Sequence, residues 1–297
     1  MLDRDHYRAL CETRIFEPGA LQRALRYRAR RTLAGDDGNL LILAADHTAR
    51  GMIAVGSDPL AVANRYALLD NLIRGLSVPG VDGVMASADI LEELAWLGAL
   101  DGRVAIGTIN RGGIKGATWE LDDRITAYDP EHIASAGLDG GKLLLRIEFT
   151  DPGVARTIEM CGEVVTKLSD QGLACMVEPL PYLKDDAGRS YLDTRDEELI
   201  RVVSIASGLG SSSADTWLKI PATKRIAEVA AATTMPILLL GGDPGEQAGE
   251  VIAGWEQAMR EPNVRGLIPG RALLYPHDGD VEGVVATAAR IVHGGGS

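Results

Sequence analysis

Apolar residues fall into short runs that alternate with stretches of helical spacing along almost the whole chain. The first run is 39–45 (NLLILAA), followed by a predicted helix over 58–75 with apolar positions at Leu60, Ala63, Ala67 and Leu68. Residues 81–85 form the second run, and 90–97 lie in the next helix. After 104–108 comes a long polar loop and then a short helix opened by Asp129-Pro130, a capping residue followed by a proline suited to a first turn. The fourth run, 141–148 (GKLLLRIE), leads through Asp151-Pro152-Gly153 into a helix that ends near Gly172. The remaining runs are 174–178, 215–220, 236–241 and 265–269, with helices expected over 195–207, 223–232, 245–260 and 281–292. Runs of four to eight apolar residues bounded by turn signals are read as buried strands rather than helices.

Alternation of this kind implies a parallel sheet covered by helices. Eight strand-helix pairs in 297 residues favour closure into an α/β (β/α)8 TIM barrel, read as a single domain over 1–297 with the barrel at 39–293. The alternative is an open doubly wound sheet. Against it, the first strand is followed by DHTARG and not by the glycine-rich dinucleotide-binding turn. Residues 1–35, rich in Arg and Leu, are expected to form an N-terminal helical extension that caps the barrel bottom or contacts a neighbouring subunit.

Composition narrows the function. With 42 Asp and Glu against 30 Lys and Arg, the formal charge is −12, which argues against nucleic acid or anionic membrane as a partner. An anionic small molecule would then need a local cluster of positive groups. Cys11, Cys161 and Cys175 are far apart, as expected of reduced thiols in a cytoplasmic protein. The first residues show no apolar signal segment, and no run approaches the length of a bilayer span. The histidines show no metal-binding spacing, so no metal and no other cofactor is expected. Hydrolase and kinase motifs are also missing.

A barrel carries its chemistry at the C-terminal ends of its strands. The polar residues predicted there are Asp46 and His47, Asn110 and Arg111, Glu148, Glu178, Lys219, Gly241-Gly242-Asp243 and Gly270-Arg271. Lys142 lies inside the fourth run and shares one face with Arg146, a candidate substrate-binding group. A lysine in an apolar strand is costly unless paired or functional. Lys142 and Lys219 belong to alternate strands, which fill the same interior layer, so their side chains could meet. Ammonium groups sharing a low-dielectric cavity disfavour each other's charge, and imine formation requires a neutral amine. Glu178 would shuttle protons. The competing assignment for Lys142 is a plain ion pair with Glu178 or Asp46, and for His47 a packing role. Gly241, Gly242 and Gly270 would let backbone N–H groups approach a phosphate closely, and Arg271 is a planar donor matched to its oxygens.

At LILAADHTARG, GGKLLLRIEFTDPG, ACMVEPLPY, DTWLKIPAT, LLLGGDP and GLIPGRALLYP the sequence resembles the class I aldolase superfamily. It is most similar there to the tagatose-1,6-bisphosphate and sulfofructose-phosphate aldolase branch, with deoxyribose-phosphate and archaeal-type fructose-bisphosphate aldolases as relatives. That resemblance implies a Schiff base on Lys219, assistance from Lys142 and Glu178, and contact of Asp46 with substrate hydroxyls. It also implies phosphate held by Gly241, Gly242 and Arg271. The Asp-Gln-Arg of the family's first strand is Asp46-His47-Thr48 here, and there is no second lysine on the seventh strand, which separates the chain from the deoxyribose-phosphate enzymes. The expected activity is aldol cleavage or formation on a phosphorylated ketose or keto-deoxy-sugar acid, releasing dihydroxyacetone phosphate and an aldehyde, by a homo-oligomer. A sugar-phosphate-sensing barrel without turnover, or a barrel isomerase or epimerase, would use the same pocket.

Overall fold

The computed structural model describes residues 1–241 and 248–294. Two helices, α1 (Arg4–Phe16) and α2 (Gly19–Tyr27), precede the first strand, β1 (Leu40–Ala44). Then follow α3 (Arg65–Ser77), β2 (Gly83–Ala86), α4 (Ala88–Trp96), β3 (Val104–Thr108), α5 (Pro130–Ser135), β4 (Gly140–Ile147) and α6 (Val154–Ser169). The second half runs β5 (Ala174–Lys184), β6 (Ser190–Leu192), α7 (Asp196–Ser207), β7 (Thr216–Pro221), α8 (Ile226–Ala231), β8 (Ile237–Leu240), α9 (Ala248–Ala258), β9 (Val264–Leu267), α10 (Arg271–Leu274) and α11 (Val281–His293).

Parallel pairing in the order β4-β3-β2-β1-β9-β8-β7-β5, with β5 returning to β4, closes eight strands into a (β/α)8 barrel. The interior is filled by Leu40, Ile42, Met85, Val104, Ile106, Met176, Leu238 and Ile268, so the barrel is a packed core below its mouth. A larger apolar layer joins the outer strand faces to the helices. Gly266 is required where β9 meets β1. Its φ is +141° and a Cβ there would lie 1.9 Å from the Leu40 carbonyl oxygen.

The N-terminal segment stitches the bottom. Arg28 donates to Asp139 at 2.6 Å and to the Gly137 carbonyl at 2.6 Å, while Arg31 reaches Asp82 at 2.6 Å. Leu33 packs against the interior core from below. The two helices themselves lie outside the barrel, where Arg14 of α1 pairs with Glu93 of α4.

Three local differences from the sequence expectation have physical causes. The helix expected over 58–75 begins only at Arg65, because His47–Arg50 forms a 3-10 turn and the chain between them is held by turns such as Val55–Asp58. Asn64 then caps the helix, accepting from the Ala67 N–H. The fifth strand runs six residues beyond its expected end at Glu178 despite Pro179 and Pro181. Its pairing with β4 continues through Pro181, whereas pairing with β7 stops at Val177, so the prolines sit where no β7 ladder bond needs an N–H. The extended strand folds back on β6 as an antiparallel hairpin over the mouth. The expected start of the 245–260 helix lies outside the described residues. No helix among the described residues is long and apolar enough to cross a membrane.

Candidate active site

A cavity of about 200 Å³ opens at the C-terminal end of the strands. Glu178 and Lys219 line it, together with His47, Gly241, Gly270 and Arg271. Gly242 lies outside the described residues. β7 delivers Lys219, which is 4% exposed, with its Nζ 3.1 Å from Oε1 of Glu178. The other oxygen of Glu178 is ion-paired with Lys142, which β4 delivers from the adjacent position in the barrel. One carboxylate thus stands between two ammonium groups. Burial alone would raise the Glu178 carboxyl, but the charges of Lys142 and Lys219 outweigh it and hold the group at about 2. Burial lowers Lys142 to about 8, against the opposing pull of Glu178 and with help from the Arg111 charge.

Asp46 and Lys142 are completely buried and do not line the cavity. Asp46 accepts from the Thr108 hydroxyl at 3.1 Å, lies 3.8 Å from the Lys142 ammonium and is ion-paired with Arg111. Burial opposes its ionisation, yet Arg111 and Lys142 hold its carboxyl far below the usual carboxylate range. The result is an alternating chain of charges, Arg111–Asp46–Lys142–Glu178–Lys219, that starts and ends on the cavity wall. Arg111 was only one of several polar residues at strand ends in the sequence. Nothing in its spacing distinguishes it from neighbours that point elsewhere.

Arg146 is the expected substrate-binding residue that the fold uses differently. It is completely buried, and its guanidinium grips Asp123 through Nε at 2.9 Å and Nη2 at 2.7 Å. It also bonds the Glu120 carbonyl and stacks 5.4 Å from the centre of the Tyr182 ring. Its donors are therefore spent on fixing the loop after β3. Asn110 splices the same loop to β4, exchanging 2.7 Å bonds with the backbone N–H and carbonyl of Leu144. His47 sits in the 3-10 turn after β1, where burial lowers its imidazole to about 3 and keeps it neutral. Its ring needs Gly270: a Cβ there would come within 2.6 Å of the ring carbon. Arg271 donates to the Ala54 carbonyl at 3.1 Å. Among the described residues no three His, Cys, Asp or Glu side chains gather in a way that could hold a metal ion.

The model of the Cgl0159-like family matches residues 38–289. The chain belongs to the Cgl0159-like family. Its structure is similar to the crystal structure of Cgl0159 from Corynebacterium glutamicum, at 43% identity over 99% of each chain with a TM-score of 0.96. More distant likeness, of fold alone, extends to an archaeal fructose 1,6-bisphosphate aldolase, 20% identical over 93% of this chain and all of that one, with a TM-score of 0.67. The fructose-bisphosphate aldolase of Slackia heliotrinireducens is 15% identical over 99% of this chain and 94% of its own, with a TM-score of 0.59. No curated protein matches the chain in sequence. What the Cgl0159-like chain shares with these more distant structures is the (β/α)8 barrel.

Proposed function

We propose that this Cgl0159-like protein is a class I aldolase that makes or breaks a C–C bond of a phosphorylated ketose or keto-deoxy-sugar acid through an imine on Lys219. The observation that carries the proposal is the placement of Lys219: buried, on the cavity wall, with a carboxylate 3.1 Å from its nitrogen. A buried amine beside a proton acceptor is what attack on a carbonyl requires. The fold shared with fructose-bisphosphate aldolases supports the same reading.

In this mechanism Lys219 gives its proton to Glu178 and its lone pair to the ketone carbon, forming a carbinolamine. Glu178 returns the proton to the departing hydroxyl, and water leaves with formation of the iminium. Glu178, ionised again, takes the proton of the substrate hydroxyl as the C–C bond breaks, the aldehyde departs, and the bonding pair flows into the iminium to give an enamine. Protonation of the enamine carbon and hydrolysis release the ketone fragment and restore Lys219. Lys142 keeps Glu178 ionised at the start of the cycle, and Asp46 acts on Lys142, favouring its charged form. Gly241, Gly242, Gly270 and Arg271 hold the phosphate of the ketone half, and His47 borders it as a neutral polar group. The extension 1–35 and the barrel act as one domain.

The test is condensation of dihydroxyacetone phosphate with a panel of aldehydes, followed by chromatography of the product. Product from the wild type and none from Lys219→Arg supports an imine. Comparable condensation by Lys219→Arg excludes the imine, and no condensation by the wild type together with interconversion of sugar phosphates favours a barrel isomerase or epimerase.

A further inference from the structure

The cavity wall carries more positive charge than one phosphate explains. Among the described residues Arg50, Arg111, Lys219 and Arg271 line it, against Glu178 as the one lining carboxylate. This accumulation occurs in a chain of net charge −12. The four cations do not share one place. Round the closed barrel, β3 is separated from β8 by β2, β1 and β9, so Arg111, after β3, stands across the mouth from Gly241, after β8. Arg50 follows β1, but its guanidinium is drawn to the β3 side, donating to the Gly113 carbonyl at 2.8 Å with Glu120 3.8 Å away.

Both groups are held in place, and Arg111, ion-paired with Asp46 through one nitrogen, is only partly satisfied. Arg111 is 6% exposed, its backbone N–H is fixed by the Thr126 hydroxyl at 3.0 Å, and its Nε has no hydrogen-bond partner among the described residues. Arg50 is 5% exposed. Burial lowers its guanidinium, and the charges of Arg146 and Arg111 push in the same direction. Two buried guanidinium groups that repel each other beside a cavity are stabilised by an anion that bonds both.

We propose that Arg111 and Arg50 form a second anion subsite, across the mouth from the Gly241–Arg271 side, which receives a terminal carboxylate or phosphate on the half of the substrate released as aldehyde. The assignment rests on the Lys219 reading for its orientation: with the ketone carbon on Lys219 and its phosphate at Arg271, the remaining length of substrate points toward β3. Arg111 would thereby select the aldehyde partner, and Arg50 would share its charge.

Three acceptors of similar length distinguish the options when condensed with dihydroxyacetone phosphate by the wild-type protein: glyceraldehyde 3-phosphate, 3-oxopropanoate and neutral glyceraldehyde. The expected result is a kcat/KM for one or both anionic acceptors roughly tenfold to a hundredfold above that for glyceraldehyde, the range of a charged hydrogen bond. Which anion wins identifies carboxylate or phosphate. In Arg50→Met and Arg111→Gln the ratio of anionic to neutral kcat/KM should collapse toward one, with unchanged circular dichroism. Calorimetric titration with the unreactive 3-hydroxypropanoate and glycerol 3-phosphate, in the presence of dihydroxyacetone phosphate, reads the subsite without chemistry. Weaker binding of either to both variants supports it even if no imine forms on Lys219. Equal use of neutral and anionic acceptors, or binding indifferent to both substitutions, overturns the subsite and leaves the Lys219 mechanism standing.

Discussion

The two ends of the barrel use the same residue types for different ends. At the bottom, Asp139 accepts from Arg28, from Arg30 at 2.8 Å and from the Ala105 N–H at 2.8 Å, and Asp82 accepts from Arg31 and from the Leu41 N–H at 2.7 Å. These carboxylates have all their neighbours within the chain, and they tie the N-terminal segment to the strands. At the mouth, Glu178 and Asp46 are equally buried, but their partners Lys219 and Arg111 face a cavity. Buried charge therefore does not by itself mark a site. A cavity alone does not separate the ends either, since His293 and Asp37, which continue the chain from Asp82, line one at the bottom; what separates them is that the mouth presents a lysine amine beside a carboxylate.

The sharpest way to break the comparison is to remove one member from each end. Lys219→Met should lower kcat of the condensation by about four orders of magnitude while the thermal melt stays close to wild type, because the covalent step is lost and a buried cation is removed with it. Asp139→Ala should do the reverse. It leaves Arg28, whose side chain is 1% exposed, without its carboxylate, at a cost of about 3–5 kcal/mol in urea unfolding, and the kcat of the surviving folded protein should match wild type. Glu178→Gln should lower kcat by about a hundredfold to a thousandfold through lost proton transfer, read in steady-state kinetics. The smallest effect concerns pH. His293 bonds Asp37 at 2.6 Å and Asp82 at 3.2 Å, and chiefly the bond to Asp82, against burial, raises its imidazole from 6.5 to about 9. A raised folded value means that its contribution is complete below pH 6.5 and fades as pH climbs through 9. Melting temperatures across that window should fall in the wild type and stay flatter in His293→Gln.

The barrel itself was legible because each strand is a short apolar run and each crossover carries helical spacing. Asp129-Pro130 marks α5 to the residue, with Asp129 accepting from the His132 N–H at 2.8 Å. The hairpin of β5 and β6 was not legible, since Pro179 and Pro181 look like breakers until the β7 side of the strand is known to be unpaired. Strand alternation alone places Lys142 and Lys219 together, and Glu178 joins them as the polar residue expected at the end of the fifth strand. The split between Arg111 and Arg146 was hidden, because both are arginines near strand ends and only the path of the loop after β3 decides which one is consumed by Asp123 and Glu120. Asp46 was expected to touch substrate, and the same loop instead brings Arg111 against it.

All of this turns on whether the nitrogen of Lys219 bonds covalently to carbon. Incubation with dihydroxyacetone phosphate and borohydride, followed by digestion and mass spectrometry, asks that directly. A reduced adduct on the peptide carrying Lys219, lost when borohydride or the ketone is left out, is the expected result. An unmodified Lys219 under turnover, or an adduct confined to Lys142, would contradict it.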